Sequence, residues 1–234
     1  MITDFQAARI EDLVDFYHVA QSPWVRSNMV VSLDGHFVDA MGTSEGLSSD
    51  IDLRILLLLR ALSDVVLVGG STVRREGYDP KPIRPEFHVL RTDSTPVAII
   101  TNSLDFDFDS LLFSESPTRP IILTSDKARL DKPEVFERAQ SIATVQTTET
   151  VTGHWVRDTL HDHGFLRVLS EGGPRIQELL LRDGALDELD VTVAPCVQAS
   201  SHTIPAFGQF ASQLELGALA RGSDHTFARY FVKR

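Results

Sequence analysis

The sequence predicts an α/β protein: a mostly parallel central sheet flanked by helices, with an antiparallel hairpin at its C-terminal end. Three observations carry this. Val65-Val66-Leu67-Val68 is apolar without alternation, the pattern of a strand buried on both faces. Segments with apolar residues at helical spacing lie between such runs. Two strand-like runs, 214–219 and 226–232, close the chain around Gly222-Ser223-Asp224.

Residues 9–19 place Ile10, Leu13, Val14 and Tyr17 on one helical face. A first strand is expected over Val25–Leu33, ending at Asp34-Gly35. Ser49 and Asp52 are spaced as in a capping box and open a helix to about Leu62, which is apolar nearly all round from Ile55 to Leu59 and should be buried. Gly69-Gly70 stops the strand Val65–Val68. Pro80, Pro82, Pro85 and Pro96 mark residues 77–96 as mainly loop. Strands over Val97–Thr101 and Pro120–Thr124 enclose an acidic loop through Asp105, Asp107 and Asp109. Pro133 opens a short helix, and Ser141–Val145 is a further strand. A helix over Val151–His161 leads into the strand Phe165–Ser170. Glu171-Gly172-Gly173-Pro174 then introduces a helix from Arg175 to about Arg182, closed by Gly184, and Val191–Ala194 is the last strand before the hairpin. No repeat or linker divides the chain. Residues 1–234 read as a single domain, with residues 1–22 as a helical N-terminal extension.

The charge balance narrows the function. With 22 Lys+Arg against 33 Asp+Glu the net charge is −11, which disfavours a nucleic-acid backbone as ligand. One cysteine, Cys196, excludes an internal disulfide and any zinc site that needs two thiolates. No apolar run approaches a bilayer span and the first thirty residues lack a signal-peptide pattern, so a cytoplasmic location without membrane association is expected. His161-x-His163 lacks an acidic or cysteine partner nearby and reads as a solvated surface pair, so no metal is expected.

Two segments share one grammar: an apolar strand, a glycine pair, then a helix start. They are Val65–Thr72 through Gly69-Gly70, and Phe165–Pro174 through Gly172-Gly173. Glycines let backbone approach a ligand, and free amides there favour an anion such as phosphate. Either pair alone also fits an ordinary strand-to-helix turn. The G-x-G-x-x-G and P-loop fingerprints are absent. Asp34 lies where a strand gives out, as a pocket carboxylate would, or as a hairpin Asp-Gly would. Gly42-Thr43-Ser44-Glu45-Gly46 matches the G-x-S-x-G nucleophile elbow, but Asp39-Ala40-Met41 is a poor strand end to precede it.

Several blocks together give a resemblance: Pro23–Gly35, Gly46-Leu47-Ser48, Leu59–Gly69, Ser71–Tyr78, Ser170–Pro174, Leu186–Leu189 and Ala194-Pro195. In order and spacing they are similar to the pyrimidine reductases of riboflavin biosynthesis. That family covers the C-terminal half of the bifunctional deaminase/reductase and stand-alone actinobacterial reductases. The resemblance implies a dihydrofolate-reductase-like fold and NADPH as hydride donor. It implies cofactor contacts at Val31, Gly70, Thr72, Glu76, Gly172, Gly173, Pro174, Arg175 and Ile176, and puts Asp34 and Glu171 at the substrate pocket as candidate catalytic residues. It implies reduction of 5-amino-6-(5-phosphoribosylamino)uracil to the ribitylamino product, by hydride transfer to the sugar C1′ through an open-chain imine, in a homodimer. Dihydrofolate as substrate, and a non-catalytic NADP-binding protein, are the alternatives.

The chain departs from the family in two places. One cysteine cannot build the deaminase zinc signature. In the stretch Thr72–Arg84, Glu76 stands where the family has aspartate, and the basic residues are placed differently. Arg74, Arg75, Lys81, Arg84 and Arg175 are expected as local counter-charges near the glycine turns.

Overall fold

The computed structural model describes residues 3–39, 41–76, 78, 82–198 and 212–233. In chain order its elements are β1 (Thr3–Asp4), α1 (Ile10–Tyr17), β2 (Trp24–Ser32), α2 (Asp50–Leu62), β3 (Val65–Gly69), α3 (Gly70–Glu76), β4 (Val97–Ile100), α4 (Leu111–Ser114) and β5 (Ile121–Ser125). There follow α5 (Asp126–Asp131), α6 (Pro133–Ile142), β6 (Thr144–Thr148), α7 (Gly153–Asp162), β7 (Arg167–Ser170), α8 (Pro174–Arg182), β8 (Glu188–Ala194), β9 (Leu214–Gly222) and β10 (His225–Val232).

The strands join one sheet in the order β1-β9-β10-β8-β2-β7-β3-β4-β5-β6. From β8 through β2, β7, β3, β4 and β5 to β6 every pairing is parallel. β10 runs antiparallel to β8 and β9, forming the expected hairpin around Ser223-Asp224. Strands β3 and β4 are continuously apolar because both faces are covered. In β3, Val66 and Val68 join a core with Leu58 and Leu59 of α2, while Val65 and Leu67 join another with Val156 and Leu160 of α7 and Leu180 of α8.

The predicted helices begin where capping chemistry places them. Ser49 accepts from the Asp52 amide at 3.2 Å to start α2, and the Asp52 carboxylate takes the Ser48 hydroxyl at 2.6 Å rather than closing the box on the Ser49 amide. Thr152 caps α7 through the Trp155 amide at 3.2 Å, so Val151 and Thr152 lie outside the helix.

Four differences from the sequence reading have physical causes. Ser141 belongs to α6, its hydroxyl turned back onto the Arg138 carbonyl at 2.7 Å, and the strand that follows is the polar, half-buried edge Thr144–Thr148, which no apolar run marks. Helix α4, helix α5 capped by Ser125, and the two-residue strand β1 are additions. No turn separates β3 from α3, because Gly69 ends the strand and Gly70 begins the helix. Finally, β8 starts at Glu188, three positions before Val191, through two acidic residues that are buried.

Those acids belong to an ion network. Glu188 meets Arg26 Nη2 at 3.0 Å and Arg229 Nε at 2.6 Å, and Asp190 Oδ2 lies 3.2 Å from Arg26 Nε. Trp24 Nε1 adds a 2.7 Å bond to Glu188. Both arginines also donate to the carbonyl end of α1, Arg26 to Tyr17 at 2.6 Å and Arg229 to Phe16, where the helix dipole favours positive charge.

Candidate active site

Strand β7 lies between β2 and β3, and the helices that follow β3 and β7 leave toward opposite faces: Val73 of α3 packs in one core, Ile176 of α8 in the other. In open α/β sheets such a divergence opens a crevice at the strand carboxyl ends, where ligands bind. The two glycine segments meet there. A Cβ built on Gly69 would lie 3.3 Å from the Gly172 carbonyl and 3.2 Å from Ile176 Cδ1; one on Gly70 would lie 3.0 Å from Thr101 Oγ1. Gly173 has φ +82°, and its Cβ would sit 3.4 Å from Thr72 Oγ1. A side chain at Gly69, Gly70 or Gly172 would displace its neighbours, and the Ile176 and Gln177 amides of α8 both donate to the Gly173 carbonyl, at 3.1 and 3.3 Å. Pro174 takes the first position of α8, where its missing N–H costs nothing.

The structure thus brings together Gly70, Thr72, Gly172, Gly173, Pro174 and Ile176. Ile176 fills the space beneath the two turns, and Arg175 is exposed at the start of α8. Val31 lies on the wall above them. Ser27 is the last β2 residue paired with β7, while β2 continues to Ser32 against β8 alone, so roughly 16 Å of strand has one edge open toward the crevice among the described residues. Glu76 is the last residue of α3. Of the expected counter-charges, Arg74 is turned toward the loop after β4, donating to the Asp105 carbonyl at 3.1 Å; Arg84 lies 3.9 Å from Glu86; Lys81 lies outside the described residues.

Glu171 follows β7 directly, its amide bonded to the Leu67 carbonyl at 3.0 Å. Its carboxylate is held by Arg60 of α2 in two parallel hydrogen bonds of 2.6 Å each, and Tyr78 OH donates to Oε2 at 3.3 Å. Arg60 also stacks over the Tyr78 ring at 5.2 Å. Sequence reasoning missed this partner, although Arg60 stands in the Leu59–Gly69 block; nothing in the helix pattern aims it across the sheet.

Asp34 stands apart from Glu171, beyond the end of β2. Residues 32–36 form a tight turn, with the Ser32 amide donating to the His36 carbonyl and the Gly35 amide to the Ser32 carbonyl, each at 2.9 Å. The turn reading of Asp34-Gly35 therefore holds. Asp34 Oδ1 accepts from Ser32 Oγ at 2.6 Å and the Gln198 amide at 3.1 Å, while Oδ2 is 3.2 Å from His36 Nδ1. His36 is buried, and neither ring nitrogen makes an aligned hydrogen bond. A lone histidine carried no signal in the sequence.

The G-x-S-x-G segment is no elbow. β2 ends at Ser32, and the loop wraps around Asp39, which accepts from the amides of Met41, Thr43 and Gly46 at 2.8, 3.1 and 3.1 Å. Those amides hold the Asp39 carboxyl below its usual range, and Ser44 merely precedes a single 3₁₀ turn. His163 bonds Gln146 at 3.1 Å, and no cluster of three metal-ligating side chains occurs among the described residues. A groove of about 550 Å³ beneath α1 is lined by Asp4, Asp12 and Asp15, far from the crevice, and its charge is wrong for a phosphate.

Residues 23–220 match the family model of the RibD C-terminal domain. The chain belongs to the RibD C-terminal domain family. This member is 31% identical over 182 residues to the 2,5-diamino-6-ribosylamino-4(3H)-pyrimidinone 5′-phosphate reductase of Methanothermobacter thermautotrophicus, across 75% of this chain and 79% of that protein. Among solved structures, a pyrimidine reductase-like protein from Corynebacterium diphtheriae superposes with a TM-score of 0.83 at 24% identity, covering 97% of this RibD C-terminal domain protein and all of the other chain. Dihydrofolate reductase from Enterococcus faecalis, solved with NADP(H), aligns with a TM-score of 0.51 at 11% identity over 91% of this chain and 98% of that one, which bears out the dihydrofolate-reductase-like fold. No helix among the described residues is long and apolar enough to cross a membrane.

Proposed function

We propose that this protein is a reductase of riboflavin biosynthesis that uses NADPH to convert a 6-(5-phosphoribosylamino)pyrimidine, 5-amino-6-(5-phosphoribosylamino)uracil first, into its ribitylamino form. The observation that carries the reading is the meeting of two side-chain-free glycine segments at the carboxyl ends of β3 and β7, below an open edge of β2. This arrangement suits an extended dinucleotide: the side-chain-free Gly172-Gly173 turn at the head of α8 for its phosphates, and backbone at Val31 for the far end. Gly70, Thr72, Gly172, Gly173 and Arg175 would hold the cofactor, which supplies hydride when bound.

The chemistry asks for alignment more than for a nucleophile. As the ribosyl ring opens, the C1′–O4′ bond breaks, O4′ takes a proton and the nitrogen lone pair forms C1′=N. Hydride then adds to C1′ and the C=N electron pair returns to nitrogen. One proton is consumed, and Asp34, partly open to solvent at the crevice end of β2, is our candidate for managing it. We read residues 1–234 as one reductase domain, with the first 22 residues as an N-terminal extension, acting as a cytoplasmic homodimer on a small molecule.

The test is the loss of NADPH absorbance with purified protein and each of three substrates. Turnover with the uracil compound supports the reading. Turnover with the 2,5-diamino-pyrimidinone, favoured by the name of the 31% identical relative, moves the enzyme one deamination earlier in the sequence. Turnover with dihydrofolate alone, or tight NADPH binding without any turnover, would overturn it.

A further inference from the structure

The carboxylate of Glu171 is held by three donors. A carboxylate offers about four lone-pair positions. Arg60 Nε takes one on Oε1, and Arg60 Nη2 and Tyr78 OH take both on Oε2. Among the described residues, one acceptor position remains, on Oε1. The side chains of Arg60 and Glu171 are 12% and 8% exposed, so bulk water competes poorly for them. Arg60 is itself pinned, its carbonyl accepting the Thr95 hydroxyl at 2.7 Å in the last turn of α2. Both Arg60 bonds to Glu171 are charge-assisted, so the pair holds the carboxylate in one orientation.

We infer that Arg60 and Tyr78 are positioning residues that fix Glu171 as a single-point acceptor for one hydroxyl or amino group of the bound substrate, and that Glu171 takes no part in proton transfer. Glu171 immediately precedes Gly172 and Gly173, so this acceptor lies beside the cofactor turn, where the reacting end of a substrate must come. The role is one of specificity: a polyhydroxylated or amino-bearing substrate satisfies the last acceptor position, and one without a donor there leaves it buried and unpaired.

The inference rests on the reductase reading, and the experiment separates the two. In steady-state kinetics with the pyrimidine substrate, Glu171→Gln and Arg60→Met are expected to raise the substrate KM about tenfold, with kcat and the KM for NADPH within about threefold of wild type. Tyr78→Phe should give a smaller rise of about threefold in the same direction. A loss of kcat of about a hundredfold or more in Glu171→Gln at unchanged substrate KM would overturn the inference and make Glu171 an acid–base group. Should Arg60→Met not fold, Glu171→Gln and Tyr78→Phe carry the same split. Should wild type turn over neither pyrimidine, the functional reading falls. The clamp is then decided on the folded wild-type protein by nitrogen-15 NMR of Arg60 Nε–H: slow exchange with water, lost in Glu171→Gln, supports it, and exchange as fast as that of exposed arginines such as Arg175 overturns it.

Discussion

Arg229 Nε lies 2.6 Å from Glu188 Oε1, with the two side chains 6% and 0% exposed, and this contact ties the antiparallel hairpin to the parallel half of the sheet. Burial alone would raise the Glu188 carboxyl, but Arg26 and Arg229 outweigh it and hold it below its usual range. Asp190, next in the network, is pushed well above its ordinary value by burial and then by the Glu188 charge. The two acids therefore oppose each other in their response to pH. Glu188 contributes stability that is complete above its unfolded value of 4.5 and is lost as pH falls through its lower folded value. Asp190 contributes stability that is complete below its unfolded 3.8 and is lost as pH rises through its raised folded value.

Glu188→Gln should accordingly destabilise the protein at neutral pH by about 3–5 kcal/mol, because it removes the ionised carboxylate that both buried guanidinium groups share. Asp190→Asn should be neutral or stabilising there, and should abolish the fall in melting temperature that wild type shows as pH rises through the raised Asp190 value. Thermal melts from acid to neutral pH check both. A flat wild-type profile, or an Asp190→Asn loss as large as that of Glu188→Gln, would refute the assignment.

The network also shows where the sequence was silent. Apolar strands and capped helices were legible because each is encoded locally: Val65–Val68 by its unbroken apolarity, α2 by Ser49 and Asp52. The first residues of β8 were not, since Glu188 and Asp190 carry no apolar strand signal and are buried only because Arg26 and Arg229 arrive from other strands. The site divided along the same line. Gly172-Gly173 announced itself through the absence of side chains, and Asp34 through its place at a strand end. Arg60 and His36 act through tertiary contact, which no spacing along the chain records.

Gly173 is the sharpest test of the cofactor turn. Its φ of +82° is costly for any residue with a Cβ, and that Cβ would touch Thr72 Oγ1 at 3.4 Å. Gly173→Val should cost about 1–3 kcal/mol in backbone strain and weaken NADPH binding at least about tenfold. Gly184→Ala, with φ +65° but nothing within 4 Å of its Cβ, is the control: positive-φ strain away from the turn, unchanged cofactor affinity. Fluorescence titration of NADPH, alongside melting temperatures, separates the two effects. Equal affinities in the two folded variants would remove Gly173 from the cofactor site.

The last prediction concerns the far end of β2. An imidazole that is 6% exposed with neither nitrogen in an aligned hydrogen bond is an expensive way to fill space. His36→Leu removes that cost and should raise the melting temperature, in line with a gain of about 1 kcal/mol. If His36 Nδ1, 3.2 Å from Asp34, keeps that carboxylate in place for the proton the reaction consumes, the same variant should lower kcat about tenfold while leaving the KM for NADPH unchanged. Asp34→Asn should show the same split more strongly, since it removes the acid itself. Stability rising as turnover falls is the signature of a residue retained for chemistry. A His36→Leu enzyme with full kcat would leave the buried histidine a packing residue, and an Asp34→Asn enzyme impaired only in NADPH affinity would move Asp34 from the substrate side of the crevice to the cofactor side.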